Sequence, residues 1–135
     1  MVIDLHPEFG LELVLGIPYA YWLHERGELE GIRTVKGMKP FYYFCDNVEE
    51  VYDYRTIDNG AAGLNSLPNN WIHHNAMNMF GKGWGELTEA QQHQSNGTLD
   101  YSKWVVPNYT EQYSNDEFKF DKPFVVISNR YNIEH

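Results

Sequence analysis

The stretch Asp121-Lys-Pro-Phe-Val-Val-Ile-Ser-Asn-Arg-Tyr-Asn-Ile-Glu-His135 decides how this chain is read. Phe124 to Ile127 is a short, unbroken apolar run rich in β-branched residues. A strand buried on both faces reads this way, and such strands belong to parallel sheets. The run empties into Ser128-Asn129-Arg130-Tyr131-Asn132, a polar loop with hydrogen-bonding side chains. In open α/β sheets ligands sit just outside the carboxyl ends of the strands. A ligand site is therefore expected to begin at Ser128. Asn129, Arg130 and Asn132 are its candidate substrate-binding residues, because guanidinium and amide groups suit diphosphates and sugar hydroxyls. A solvated tail is the competing reading of the same residues. No helix follows to cover such a strand, so the chain reads as the front part of a longer protein or as a domain completed by a partner subunit.

Upstream, Gly10 to Arg26 is predicted to be a helix closed by Gly27. Leu11, Val14, Leu15, Pro18, Tyr19, Trp22 and Leu23 follow helical spacing, and Leu13, Ile17 and Ala20 fill most of the opposite face. A helix apolar nearly all round is buried in a larger structure. Pro18 removes a backbone donor and predicts a kink. Glu12 is the only carboxylate between Phe9 and His24. Burying a carboxylate is costly unless it is paired. Glu12 is either a first-turn acid favoured by the helix dipole or a polar group aimed into a cleft, where it is a candidate catalytic base.

Between these ends, Ile32 to Val35 is expected to be a strand, and Pro40 to Cys45 a second one by its aromatic content. Asn47 to Tyr52 reads as a short helical turn or connector. Residues 55 to 98 read as a long loop, dense in Asn, Gly and Pro up to residue 83. Only a weak helix at Leu87 to His93, capped by Thr88, interrupts it. The expected order is helix, strands, loop, strand. That order fits an α/β sandwich, as a single domain over residues 1–135 with a mostly parallel sheet.

The formal charge of −9 argues against a nucleic-acid backbone or an anionic membrane as the main partner. A nucleotide ligand would need a local positive group, and Arg130 is the obvious one. The single cysteine, Cys45, excludes an intrachain disulfide framework and fits a reducing compartment, so a cytoplasmic location is expected. The amino terminus lacks the basic region of a secretory signal, and the apolar run Leu13 to Leu23 is too short to span a bilayer.

No His-Glu-x-x-His, Cys pair or acidic loop pattern is present, so neither a metal nor a cofactor is expected. His73-His74-Asn75 lies between Trp71 and Met77. His74 is a second candidate proton acceptor, with Trp71 and Asn75 as acceptor-binding neighbours. A loop histidine bonding backbone is the competing reading. Gly81-Lys-Gly-Trp-Gly85 lacks the spacing of a phosphate loop and reads as a turn presenting Trp84. Ten Tyr, seven Phe and four Trp supply core area, and such rings also stack on sugars.

Three segments together resemble a known group of proteins. Glu8-Phe-Gly-Leu-Glu-Leu13 followed by Ile17-Pro-Tyr-Ala-Tyr21 resembles the opening of a glycosyltransferase family of GT-B type with fucosyltransferase-like architecture. Leu99-Asp-Tyr-Ser-Lys-Trp104, with Pro107, Tyr109, Tyr113 and Phe118-Lys-Phe-Asp-Lys-Pro123, resembles the mid-region of that family. Phe124 to Asn132 resembles the strand and loop that open its second half. The resemblance implies an N-terminal, Rossmann-like three-layer half-domain that contributes acceptor contacts across a cleft. It implies that Phe9, Gly10 and Glu12 face that cleft. It also implies that the nucleotide-sugar-binding C-terminal half lies outside this chain, so the isolated chain is expected to be inactive. Leu11 departs from the family pattern, where an amide side chain is expected, which leaves Glu12 as the polar candidate.

Two functions are thus carried forward. One is part of a glycosyltransferase moving a sugar from a nucleotide-sugar donor to a carbohydrate or other hydroxyl acceptor. The other is a non-catalytic glycan- or protein-binding module that uses exposed Trp71, Trp84 and Trp104.

Overall fold

The structure, a computed structural model, describes residues 1–56, 63–68, 71, 79–94, 102–117, 121–123 and 125. It is an α/β arrangement built on a three-stranded parallel sheet. The strands are β1 (Val2–Asp4), β2 (Gly31–Val35) and β3 (Val48–Tyr52), in that order across the sheet. Ile3 pairs with Ile32, and Ile32 with Val48. Parallel neighbours need a crossover, and helices supply the one between β1 and β2. It runs as α1 (Phe9–Leu11), a π-helical stretch Glu12–Gly16, and α2 (Ile17–Glu25). Gly27 ends it at φ 69°, with its N–H on the His24 carbonyl, the left-handed closure expected of a C-terminal glycine.

Three expectations are corrected. The chain opens on a strand rather than on the helix; Val2–Asp4 is too short to show a period of its own, and pairing with β2 creates it. Pro40 to Cys45 is not a strand. Lys39–Tyr42 is a 3₁₀ turn with Pro40 in its first turn, where a missing N–H costs nothing. Asn47 to Tyr52 is not a helical turn. Val48–Tyr52 alternates half-buried and exposed residues and forms the third strand, so sheet pairing outweighs the helix preference of Glu49 and Glu50.

The helical layer packs on one face of the sheet. Ile3, Leu5 and Ile32 meet Leu15, Ile17, Ala20 and Leu23 in the core. Leu64, Leu67 and Trp71, from the segment expected to be loop, are buried in the same cluster. The other face carries a charge ladder, with Arg33 Nη1 at 2.8 Å from Asp4 Oδ2 and Nε at 3.9 Å from Glu49. Parallel sheets are usually covered on both faces, and no second helical layer occurs among the described residues.

The helix at Leu87 to His93 is present as Glu89–Gln92, with the Thr88 hydroxyl accepting from the Gln91 N–H. Of the expected final strand, only Val125 is described, and it is 86% exposed and outside any strand. The rest of that strand lies outside the described residues. Among the described residues no helix is long and apolar enough to cross a membrane.

Candidate functional site

The carboxyl ends of β1, β2 and β3 all lie at one edge of the sheet, and a cluster of polar side chains gathers there. Its centre is Glu12, which is completely buried. Oε1 accepts hydrogen bonds from the hydroxyls of Thr34 at 2.5 Å and Tyr42 at 2.7 Å. Oε2 accepts from Arg55 Nη1 at 2.7 Å, and the same nitrogen donates to the Pro7 carbonyl at 3.0 Å. The Arg55 side chain is only 12% exposed, so the pair is a buried one. Each element contributes one partner: Glu12 opens the π-helical stretch, Thr34 sits on β2, Tyr42 ends the 3₁₀ turn, and Arg55 follows β3. The carboxylate is stable there because every neighbour donates to it, which offsets the loss of water. Burial, then the charge of Glu12, pushes the Tyr42 hydroxyl well above the ordinary tyrosine value.

Phe9 and Gly10 lie in α1, within the turn before Glu12, and Phe9 reaches this pair. The Arg55 guanidinium lies 5.2 Å from the Phe9 ring centre, a cation–π distance. Phe9 is partly exposed and meets Phe41 edge-on at 5.9 Å. Glu8 caps the helix by accepting from the Leu11 N–H at 3.2 Å. A side chain at Gly10 would approach Glu8 Oε2 to 3.0 Å, so the glycine leaves room for the cap.

A second cluster lies on the other side of the same edge. Side chains alternate along an extended chain, so Asp4 and His6 share a direction while Leu5 and Pro7 are buried opposite them. The His6 ring packs 4.7 Å from Tyr52 and 5.7 Å from Tyr54, and its Nδ1 lies 2.9 Å from Thr56 Oγ1. The Tyr52 hydroxyl donates to Asp4 Oδ1 at 2.6 Å, and that bond raises the tyrosine's pKa. The backbone is fixed too: a parallel bridge joins Pro7 to Thr56, and the His6 N–H donates to the Gly63 carbonyl at 3.1 Å.

An apolar recess of about 310 Å³ adjoins Phe41, lined by Pro40, Phe41, Tyr109 and Tyr113. The hydroxyls of both tyrosines are already spent on backbone carbonyls, Tyr109 on Phe41 and Tyr113 on Pro40. Burial and the neighbouring Tyr43 and Tyr113 raise the Tyr109 hydroxyl pKa. The walls therefore offer rings and no free donors.

The structure brings Phe9, Gly10 and Glu12 together at this edge. Trp71 is not an exposed stacking ring: it is 1% exposed and packs against Tyr19 at 5.1 Å and Trp22 at 5.7 Å, in the core. Trp104 is half-buried and donates to the Val14 carbonyl, while Trp84 is exposed. His74, Asn75, Asn129, Arg130 and Asn132 lie outside the described residues. Sequence reasoning missed Arg55, Tyr42, Thr34 and His6. One signal did point to a cation, since a lone carboxylate in an apolar helix needs a partner, but nothing in the sequence picks Arg55 from the ten Lys and Arg. Among the described residues no group of three His, Cys, Asp or Glu side chains is placed to hold a metal ion. No protein-family model, curated protein or solved structure matches this chain.

Proposed function

We propose that this chain is the acceptor-side, Rossmann-like part of a glycosyltransferase that moves a sugar from a nucleotide-sugar donor to a hydroxyl acceptor. The observation that carries this reading is the buried Glu12–Arg55 pair at the carboxyl edge of a parallel sheet, where Glu12 opens a π-helical stretch and Arg55 lies against the partly exposed Phe9 ring. Ligands collect at that edge in open α/β sheets, and π-helical insertions recur at functional sites. Both oxygens of Glu12 are engaged, so its role here is to hold the helix start and Arg55 in place rather than to take the acceptor proton. Arg130 is the expected stabiliser of the departing diphosphate, and His74 the base named by sequence.

Release of nucleoside diphosphate from a panel of nucleotide sugars, by the protein expressed from its whole reading frame, tests the proposal. The expected result is release that depends on a hydroxyl acceptor and falls about 10²- to 10³-fold in Arg130→Ala, the loss typical of one electrostatic contact to the leaving charge. Failure of every nucleotide sugar to bind or react would overturn it. The aromatic recess at Phe41 favours a second reading, a binding module. Glycan binding without any turnover is the result that would select it.

A further inference from the structure

We propose that His6 is the catalytic base that takes the proton of the acceptor hydroxyl; this rests on the transfer reading above and puts His6 in the place assigned from sequence to His74. A general base must be within reach of a reacting hydroxyl and must have an unoccupied lone pair. Glu12 fails the first condition, because it is completely buried, and three of its four lone-pair sites are already taken by the donors of Thr34, Tyr42 and Arg55. His6 meets both. It lies two residues past β1, at the carboxyl edge where substrates of open α/β sheets are held, and it is half-buried rather than enclosed.

Its ring is held on several sides. Nδ1 lies 2.9 Å from Thr56 Oγ1, and Tyr52 and Tyr54 pack against the ring. Tyr52 is itself tied to Asp4 at 2.6 Å, and Asp4 to Arg33 at 2.8 Å. The His6 backbone is bonded on both sides, its N–H to Gly63 and its carbonyl to the Thr56 N–H at 2.8 Å. Nε2 makes no hydrogen bond to another described residue. When Nδ1–H donates to Thr56, the lone pair sits on Nε2. A positioned second partner that selects the tautomer is how catalytic histidines are prepared. His24 and His93 lack such an anchor among the described residues.

The acceptor O–H gives its proton to Nε2, forming imidazolium. The acceptor oxygen bonds to the anomeric carbon. The bond from that carbon to the diphosphate oxygen breaks, and the nucleoside diphosphate leaves with the electron pair. Thr56 is a positioning residue that acts through the ring.

The test uses the protein from its whole reading frame, as wild type, His6→Gln, Thr56→Val and Thr56→Ser. The readouts are kcat and KM for transfer, together with ¹⁵N NMR of the His6 ring. The proposal expects the Nδ1–H tautomer at neutral pH. It expects kcat to fall about 10²- to 10⁴-fold in His6→Gln, the usual worth of a general base, with KM within about 3-fold. Thr56→Val should shift the tautomer and lower kcat, and Thr56→Ser should restore both, which a purely structural role would not require. A dominant Nε2–H tautomer overturns the proposal whatever the activity. Turnover in wild type that is undiminished in His6→Gln, or in Thr56→Val should the first variant not fold, overturns the base role alone. Absence of turnover in wild type overturns the transfer reading and the base role together.

Discussion

At the scale of single residues, Glu12 and Arg55 dominate. Removing one partner of a buried ion pair strands the other charge and costs about 3–5 kcal/mol. Arg55→Met is therefore expected to lower the urea-unfolding free energy by that amount. Adding Glu12→Gln to Arg55→Met should recover part of the loss, because a neutral amide tolerates burial better than a lone carboxylate. A double variant less stable than Arg55→Met would contradict the pairing. Tyr42 makes the same cluster sensitive to alkali. Its proton is held more tightly in the folded chain than in the unfolded one, so between the usual tyrosine value of 10.0 and the raised folded value the native state binds more protons. Stability is then complete below pH 10.0 and is lost as pH rises above it. Urea titrations from pH 8 to 11 should show that fall, and Tyr42→Phe should make it shallower, with Tyr52 and Tyr109, also raised, supplying the remainder, while costing about 1.5–3 kcal/mol for the lost hydrogen bond to the Glu12 carboxylate.

At the scale of elements, the first helix shows how two backbone irregularities are resolved together. Pro18 has no N–H to donate to the preceding turn. The Val14 carbonyl, four residues back, instead accepts the Trp104 indole N–H at 2.7 Å. A π-helical stretch, Glu12–Gly16, lies just before the proline, which stands in the first turn of α2. Trp104→Phe deletes the donor and leaves a smaller aromatic ring, and a loss of at least about 0.5–1.5 kcal/mol is expected, read by chemical denaturation. The loop contact at the sheet edge is tighter. Gly63 has φ 78°, and a Cβ there would sit 2.5 Å from the Pro7 nitrogen. Gly63→Ala should destabilise by more than about 1 kcal/mol and speed hydrogen exchange at the His6 N–H, which donates to Gly63. Unchanged exchange at His6 would mean that this contact does not hold the edge.

At the scale of the whole molecule, the two faces of the sheet behave differently. One is sealed by the helical layer and contains the Glu12 cluster. The other carries Asp4, Arg33 and Glu49 in water, where ion pairs contribute little. Arg33→Ala is expected to cost less than about 1 kcal/mol, several-fold below Arg55→Met, although both arginines face a carboxylate. Similar losses in the two variants, measured side by side, would show that burial does not set the worth of these pairs. The formal charge of −9 belongs to the same scale. It directs attention away from polyanions and toward ligands small enough to be met by one guanidinium.

Length, hydrophobic period and turn chemistry by themselves determined the α/β class, the first helix with its glycine closure, strand β2 and the Thr88-capped helix. Those features depend on neighbours a few residues apart, and local patterns encode them. The oddness of Glu12 was also legible, since no apolar helix carries a carboxylate without cause. Only the tertiary structure decided what that carboxylate meets. Thr34, Tyr42 and Arg55 lie 22 to 43 residues away in sequence, and parallel pairing brings them to it. The same long-range pairing made Val2–Asp4 and Val48–Tyr52 strands, left Pro40 to Cys45 out of the sheet and sent Trp71 into the core. A strand only three to five residues long gains its stability from the strand beside it, so its identity is a property of the pair and cannot be read from either segment alone.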